Sequence, residues 1–294
     1  MLRLKIPPQL LLTAATLFWA GNWIVGRAIR HDVPPIALSF WRWVVAAVCL
    51  VPLVWPHRRK VLPALAAHWK ILVPLGLLGI GFYNALAYIG LTYTEVTNGA
   101  VLNSFTPIVI VINARLFFGR RLRLAEAAGI AVSSIGVLAI VARGDPAVLA
   151  RLSVNIGDLW ILASVLSWGL YTNLLSRRPA GLDALVMLAA MVIVGIIAMI
   201  PFYAWEISTG RLIHATPTSF LALAYVGTFP AFLGYLCWNR GVAEMGPAKS
   251  GLYMHLIPVF ALLLSALLLN ETPQTYHFFG IACIVTGIFM VSRH

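Results

Sequence analysis

The sequence predicts an all-α membrane protein: ten transmembrane helices, arranged as two inverted five-helix repeats around a central cavity. Three observations predict it. The chain is 61% hydrophobic and 10% charged, with a mean hydropathy of +0.91, where a soluble domain carries about 25% charged residues. Apolar runs recur at the roughly 17–25 residues that a bilayer-spanning helix needs. Residues 90–141 and 241–292 align without a gap at an offset of 151, so that Gly90 falls on Gly241, Pro107 on Pro258, Gly129-Ile130-Ala131 on Gly280-Ile281-Ala282, and Gly136 on Gly287. Glycine and proline set where helices bend and approach, so their coincidence outweighs the few identities. At the front of each half the offset is 149: Trp19 falls on Trp168 and Asn22 on Tyr171.

Taken in order, the expected spans are 9–29, 36–56, 70–92, 97–118 and 124–142 in the first half, then 157–177, 183–205, 217–239, 247–269 and 275–292 in the second. The halves are read as 1–148 and 149–294, joined through 143–156. Connections are short and rich in Pro, Gly and charge, as at Pro34-Pro35, Pro56 to Pro63 and Gly144-Asp145-Pro146. Arg3 and Lys5 before an apolar run mimic a signal peptide, but bulky Trp19 and Trp23 make a poor cleavage region, so a retained first span is expected.

Charge sets the orientation. With the amino terminus inside, the inner segments hold Arg3, Lys5, Arg58, Arg59, Lys60, Lys70, Arg120, Arg121, Arg123, Arg177, Arg178, Arg240, Lys249 and Arg293. The outer segments hold only Arg27, Arg30, Arg143, Arg151 and Arg211. This excess predicts both termini in the cytoplasm of a multi-pass protein of the inner (plasma) membrane. An odd number of spans per half inverts the second half, an architecture of transporters whose site lies between repeats near the midplane.

Several classes are excluded. The formal charge of +12 is read as loop lysine and arginine setting topology, not as a nucleic-acid footprint. Cys49, Cys237 and Cys283 lie in apolar runs and are read as packing residues, with no disulfide or metal framework. No HExxH pattern, carboxylate cluster or metal-spaced Cys/His set is present, so neither enzyme, cofactor nor metal is expected. Asp32, Glu95, Glu126, Asp145, Asp158, Asp183, Glu206, Glu244 and Glu271 all fall at or near span ends. A proton-driven carrier of cationic drugs would be expected to bury a carboxylate at depth.

Candidate site residues follow from helical faces. In span 1, Thr16, Trp19, Asn22, Trp23 and Gly26 share a stripe, as do Ser164, Ser167, Trp168 and Tyr171 in span 6. Trp19 and Trp168 lie mid-span, where the interfacial aromatic belt does not reach, and read either as core or as a symmetric aromatic clamp. Trp55, Trp69, Trp160, Trp205 and Trp238 lie near span ends and read as interface anchors. Gly99, Asn103, Thr106 and Asn113 form a polar stripe on span 4, for helix–helix bonding or for substrate. Tyr83 and Asn84 add polar groups at mid-depth; Tyr88 and Tyr253 lie further out. Arg42 is the deepest basic residue: it meets a substrate carboxylate, or it snorkels or bonds helix-end carbonyls. His255 is either proton-linked or a hydrogen-bonded structural residue. Pro107, Pro258, Gly227, Pro230 and Gly234 are expected hinges or fixed kinks.

Pro258, the Leu-rich stretch 262–269, Asn270-Glu271, Gly280 and Gly287 resemble the repeat ending of the drug/metabolite transporter superfamily, in its EamA-type branch. Phe40-Trp41-Arg42 resembles that family's second-helix arginine, with Trp43 as the aromatic that follows. Arg120, standing where the second repeat has Glu271, departs from the pattern. The Trp-rich first span most resembles aromatic amino acid exporters of the YddG kind. The resemblance implies an outward carrier in which spans 1–4 and 6–9 line a cavity and spans 5 and 10 form a scaffold. The expected function is export of amino acids, aromatic and large apolar ones included, by alternating access. Another small metabolite (nucleoside or sugar-like) or a drug is the alternative. The expected partners are the substrate and the lipid bilayer, and a monomer is compatible with the sequence.

Overall fold

The computed structural model describes residues 6–94, 96–121, 123–152, 154–269 and 274–292, without the side chains of Trp23, Arg27, Val96, Ser265, Leu268, Leu269 and Ser292. Every regular element among the described residues is helical. The long helices are α1 (Pro8–Ala28), α2 (Pro35–Val54), α3 (Trp69–Tyr93), α4 (Thr97–Phe118), α5 (Leu124–Val141), α6 (Ile156–Leu175), α7 (Ala184–Ser208), α8 (Pro217–Met245), α9 (Pro247–Leu264) and α10 (Thr275–Ser292). Seven of these stretches, α2 to α5 and α7 to α9, are long and apolar enough to cross a membrane by length and composition. α10 is apolar but shorter. In α1 and α6 the Thr, Ser, Asn and Trp residues of their stripes dilute the apolar content.

Two local outcomes differ from the sequence reading. The Pro56–Pro63 connection is helical, with a tight turn Trp55–His57 leading into Arg58–Ala67. Pro56 sits in the first turn, where a missing N–H costs no helical bond. α8 runs on to Met245, because no proline intervenes before Gly246-Pro247 and Gly241 is carried within the helix.

Wide π turns interrupt α3 at Gly76–Phe82 and α8 at Gly227–Leu233. These segments lie 151 positions apart, and their contacts correspond. A Cβ on Gly76 would stand 2.8 Å from the Met191 carbonyl oxygen, beside Val194; one on Gly227 would stand 2.9 Å from the Arg42 carbonyl oxygen, beside Val45. Arg42 and Val45 in turn lie 149 positions before Met191 and Val194. α5 and α10 meet in the same exchanged fashion. A Cβ on Gly129 would lie 2.7 Å from the Gly287 oxygen, and one on Gly280 2.7 Å from the Gly136 oxygen. Only glycine permits backbones this close.

The start of α2 fixes the depth of Arg42. Pro34 and Pro35 open the helix without a side-chain cap of its own. The buried Glu206 carboxylate, from the far end of α7, accepts from the backbone N–H of Ile36 at 3.1 Å and of Ala37 at 2.7 Å. It satisfies two otherwise open donors at the positive end of the helix dipole.

Candidate functional site

α1, α2, α3, α8 and α9 line a narrow cavity of about 20 Å³, partly open to the outside. In this conformation that is room for about one water molecule. Its wall is formed by Trp19, Asn22, Arg42, Tyr83, Asn84, Ala87, Tyr88, Leu91, Tyr235 and Ile257. Five of these come from one face of α3 after its π turn. A π turn inserts an extra residue, so it rotates every later side chain relative to a regular helix.

The polar side of the wall centres on Arg42, which is 1% exposed. Its Nη1 donates to Asn84 Oδ1 at 2.7 Å, Tyr88 Oη at 2.9 Å and Asn22 Oδ1 at 3.3 Å. Tyr88 Oη donates in turn to Asn22 Oδ1 at 2.9 Å. Arg42 therefore neither snorkels nor bonds helix-end carbonyls through Nη1. Its Nε and the Asn84 Nδ2 are buried without a hydrogen-bond partner. The guanidinium also lies 5.8 Å from the centroid of the Trp43 ring.

The apolar side is an aromatic cluster. Trp19 meets Trp168 edge-on at 5.1 Å between ring centroids and Trp238 at 5.1 Å; Trp168 lies 4.6 Å from Tyr83 and 5.0 Å from Tyr171. Tilted and edge-to-face pairs suit the aromatic quadrupole, at about 0.5–1.5 kcal/mol each beyond area burial. The Trp19 Nε1 donates to the Pro230 carbonyl at 3.0 Å. That bond reaches past Gly234, whose Cβ would crowd the indole nitrogen.

The expected clamp therefore differs in form. Trp19 and Trp168 touch each other, and only Trp19 reaches the cavity wall, Trp168 being fully buried. Tyr171 stands behind the cluster and donates to Asn239 Oδ1. Trp238, expected near an interface, is fully buried in the cluster, whereas Trp55, Trp69, Trp160 and Trp205 are exposed. The Trp23 side chain and Asn270-Glu271 lie outside the described residues.

The α4 stripe has other partners. Pro107 lies just past a break at Phe105, and the missing proline N–H leaves the Asn103 carbonyl open. The Thr106 hydroxyl fills it at 2.6 Å. Neither Asn103 nor Thr106 lines this cavity. Pro258 follows the tight turn Tyr253–His255. His255, also outside the wall, has Nδ1 2.8 Å from Ser133 Oγ and Nε2 2.9 Å from the Ser104 carbonyl. A carbonyl only accepts, so Nε2 carries a proton, while the Ser133 hydroxyl that meets Nδ1 also lies 3.2 Å from the Ile130 carbonyl. Gly227 and Pro230 fall within the π turn of α8 and Gly234 follows it.

Sequence reasoning placed Tyr88 too far out and did not single out Tyr235, Ala87, Leu91 or Ile257. The i, i+1, i+4, i+5, i+8 spacing of Tyr83, Asn84, Ala87, Tyr88 and Leu91 was available as a signal for the α3 face.

A helical bundle whose cavity has one aromatic and one polar side is a frame for binding small amphiphilic molecules. The model of the EamA-like transporter family matches residues 7–142 and again 155–293. The chain belongs to the EamA-like transporter family. As an EamA-like transporter it is similar to the uncharacterized transporter YyaM of Bacillus subtilis, 28% identical over 96% of this chain and 92% of that one. It is also similar to the probable terminal-alkyne amino-acid exporter of Streptantibioticus cattleyicolor, 26% identical over 97% and 92% of the two chains. A solved crystal structure is similar in fold, with a TM-score of 0.79 at 19% identity, over 97% of this chain and 96% of the other. The protein is thus a multi-pass membrane transporter that acts on a small molecule.

Proposed function

We propose that this transporter exports amino acids, aromatic and other large apolar ones included, across the inner membrane. The two-sided cavity carries the reading. Trp19, Tyr83 and Tyr235 offer a surface for an apolar side chain, while Asn22, Asn84, Tyr88 and Arg42 offer bonds to a zwitterion. The amino-acid exporter among the relatives supports it. Transport proceeds by alternating access between two inverted repeats of five spans each, residues 1–148 and 149–294, with both termini cytoplasmic. Support comes from the matching contacts of Gly76 with Met191 and of Gly227 with Arg42, and from the exchanged contacts of Gly129 with Gly287 and of Gly136 with Gly280. Such a pattern, where i meets j′ and j meets i′, is what a two-fold relation produces. The π turns and the prolines of α4, α8 and α9 are the segments about which the repeats rock, because each already lacks regular helical bonds.

The test is counterflow in liposomes holding the purified protein, with labelled tryptophan outside and unlabelled amino acids, nucleosides or sugars loaded inside. Uptake driven by aromatic and bulky apolar amino acids is the expected result. Uptake driven only by another metabolite class would overturn the substrate and leave the transporter.

A further inference from the structure

This inference rests on the amino-acid reading and narrows it to one chemical group. We propose that the Nε-bearing edge of Arg42, with the amide nitrogen of Asn84, is the subsite that takes the substrate's carboxylate.

Arg42 is a permanent cation, since a guanidinium does not lose its proton in a protein. It is buried, and among the described residues no carboxylate lies within the 4.0 Å of an ion pair. Its partners Asn22, Asn84 and Tyr88 are neutral, and all three bond to Nη1. A buried charge without a counter-charge is costly, and an arriving anion removes that cost. Nη1 is already committed to protein oxygens, which leaves the Nε side of the planar fork for two parallel bonds to a carboxylate. Asn84 spends its oxygen on Arg42, which turns its unpartnered Nδ2 away from Nη1. Both residues line the cavity. Two buried donors with nothing to donate to, beside a lone cation, fit a ligand that brings acceptors and negative charge. A substrate amine or an organic cation meets repulsion at the same spot.

The position 149 residues on is Met191, which is buried and apolar. The proposed repeat partner therefore supplies no second cation, and the carboxylate has one anchor.

The test measures thermal stabilisation of the purified full-length protein by paired ligands. The pairs are tryptophan with tryptophanamide, leucine with leucinamide, and benzoate with benzamide; tryptamine serves as the cation. Each acid should stabilise at concentrations roughly tenfold to a hundredfold below its amide, the range for a lost charge-assisted bond. Arg42→Met should erase the difference between acid and amide. The wild-type pairs carry the test even if that variant fails to fold. Equal stabilisation by acid and amide would overturn the carboxylate subsite and leave the amino-acid reading standing. Stabilisation by benzoate but by no amino acid would keep the subsite and overturn that reading. No stabilisation by any acid would overturn both.

Discussion

Asn22, Arg42, Asn84 and Tyr88 form one quartet; Tyr171, Met191, Tyr235 and Asn239 form another, 149 or 151 positions later in the chain. Each contains a Tyr–Asn hydrogen bond, with the partners exchanged between helices: Tyr88 of α3 donates to Asn22 of α1, whereas Tyr171 of α6 donates to Asn239 of α8. The first quartet borders the cavity. The second reaches it only through Tyr235, with Tyr171, Met191 and Asn239 buried away from it. A third correspondence fails in the same direction. The Pro230 carbonyl receives the Trp19 indole, but the matching Gly79 carbonyl receives Tyr235 Oη, and the Trp168 Nε1 is left without a partner. The chemistry of the two quartets differs: the charge and most of the cavity wall lie with the first.

The largest test of this contrast is Met191→Arg. A guanidinium forced into the second quartet has no waiting network, so a loss of about 3–5 kcal/mol and a sharply lower Tm in detergent are expected. A well-folded variant with wild-type Tm would show that the second quartet accepts charge as readily as the first. Next come Gly76→Ala and Gly227→Ala. Each added methyl meets a backbone oxygen and a valine, so each should lower Tm, by an effect of about 1–3 kcal/mol, and by similar amounts. A large loss in one alone would break the correspondence of the two π turns.

Smaller effects sharpen the comparison further. Tyr88→Phe removes a hydroxyl that both accepts from Arg42 and donates to Asn22; it should reduce counterflow several-fold. Tyr171→Phe removes one remote bond worth about 1 kcal/mol and should leave the substrate concentration for half-maximal exchange unchanged. Equal transport defects would place Tyr171 on the substrate path. The smallest expected effect separates the two indoles. Trp19→Phe loses a bond of about 1 kcal/mol, whereas Trp168→Phe loses none, so Tm should fall further for Trp19→Phe. The reverse order would mean that the Trp168 nitrogen has a partner in solution.

Much of this was legible in the sequence. The apolar runs gave the helices, because a segment that must satisfy its own backbone in lipid has few alternatives to helix. The glycines at offset 151 marked the α5–α10 contact, since a missing Cβ is what close approach requires. Arg42 stood out because charge at depth is costly and therefore rare. Trp19 and Asn22 were readable as one face of α1.

The misread residues share causes. A stripe at 3.6-residue spacing says which side chains share a face, but not what that face meets. Trp168 has the right face and meets other rings. Thr106 has the right face and mends the gap left by Pro107. Trp238 sits near the end of an apolar run, but α8 continues past it, so distance from the end of hydropathy misjudged its depth.

By itself, the sequence determined a bundle of membrane helices, a buried cation at Arg42 and a tryptophan-rich first span. These follow from composition, period and spacing, which act along the chain. Only the tertiary structure decided that Asn84 and Tyr88 turn toward Arg42, that the two mid-span tryptophans close on each other, and that one quartet borders the cavity while its counterpart reaches it only through Tyr235. The π turns reset the helical phase partway along α3 and α8, and contacts between helices distant in sequence determine which buried donors find partners.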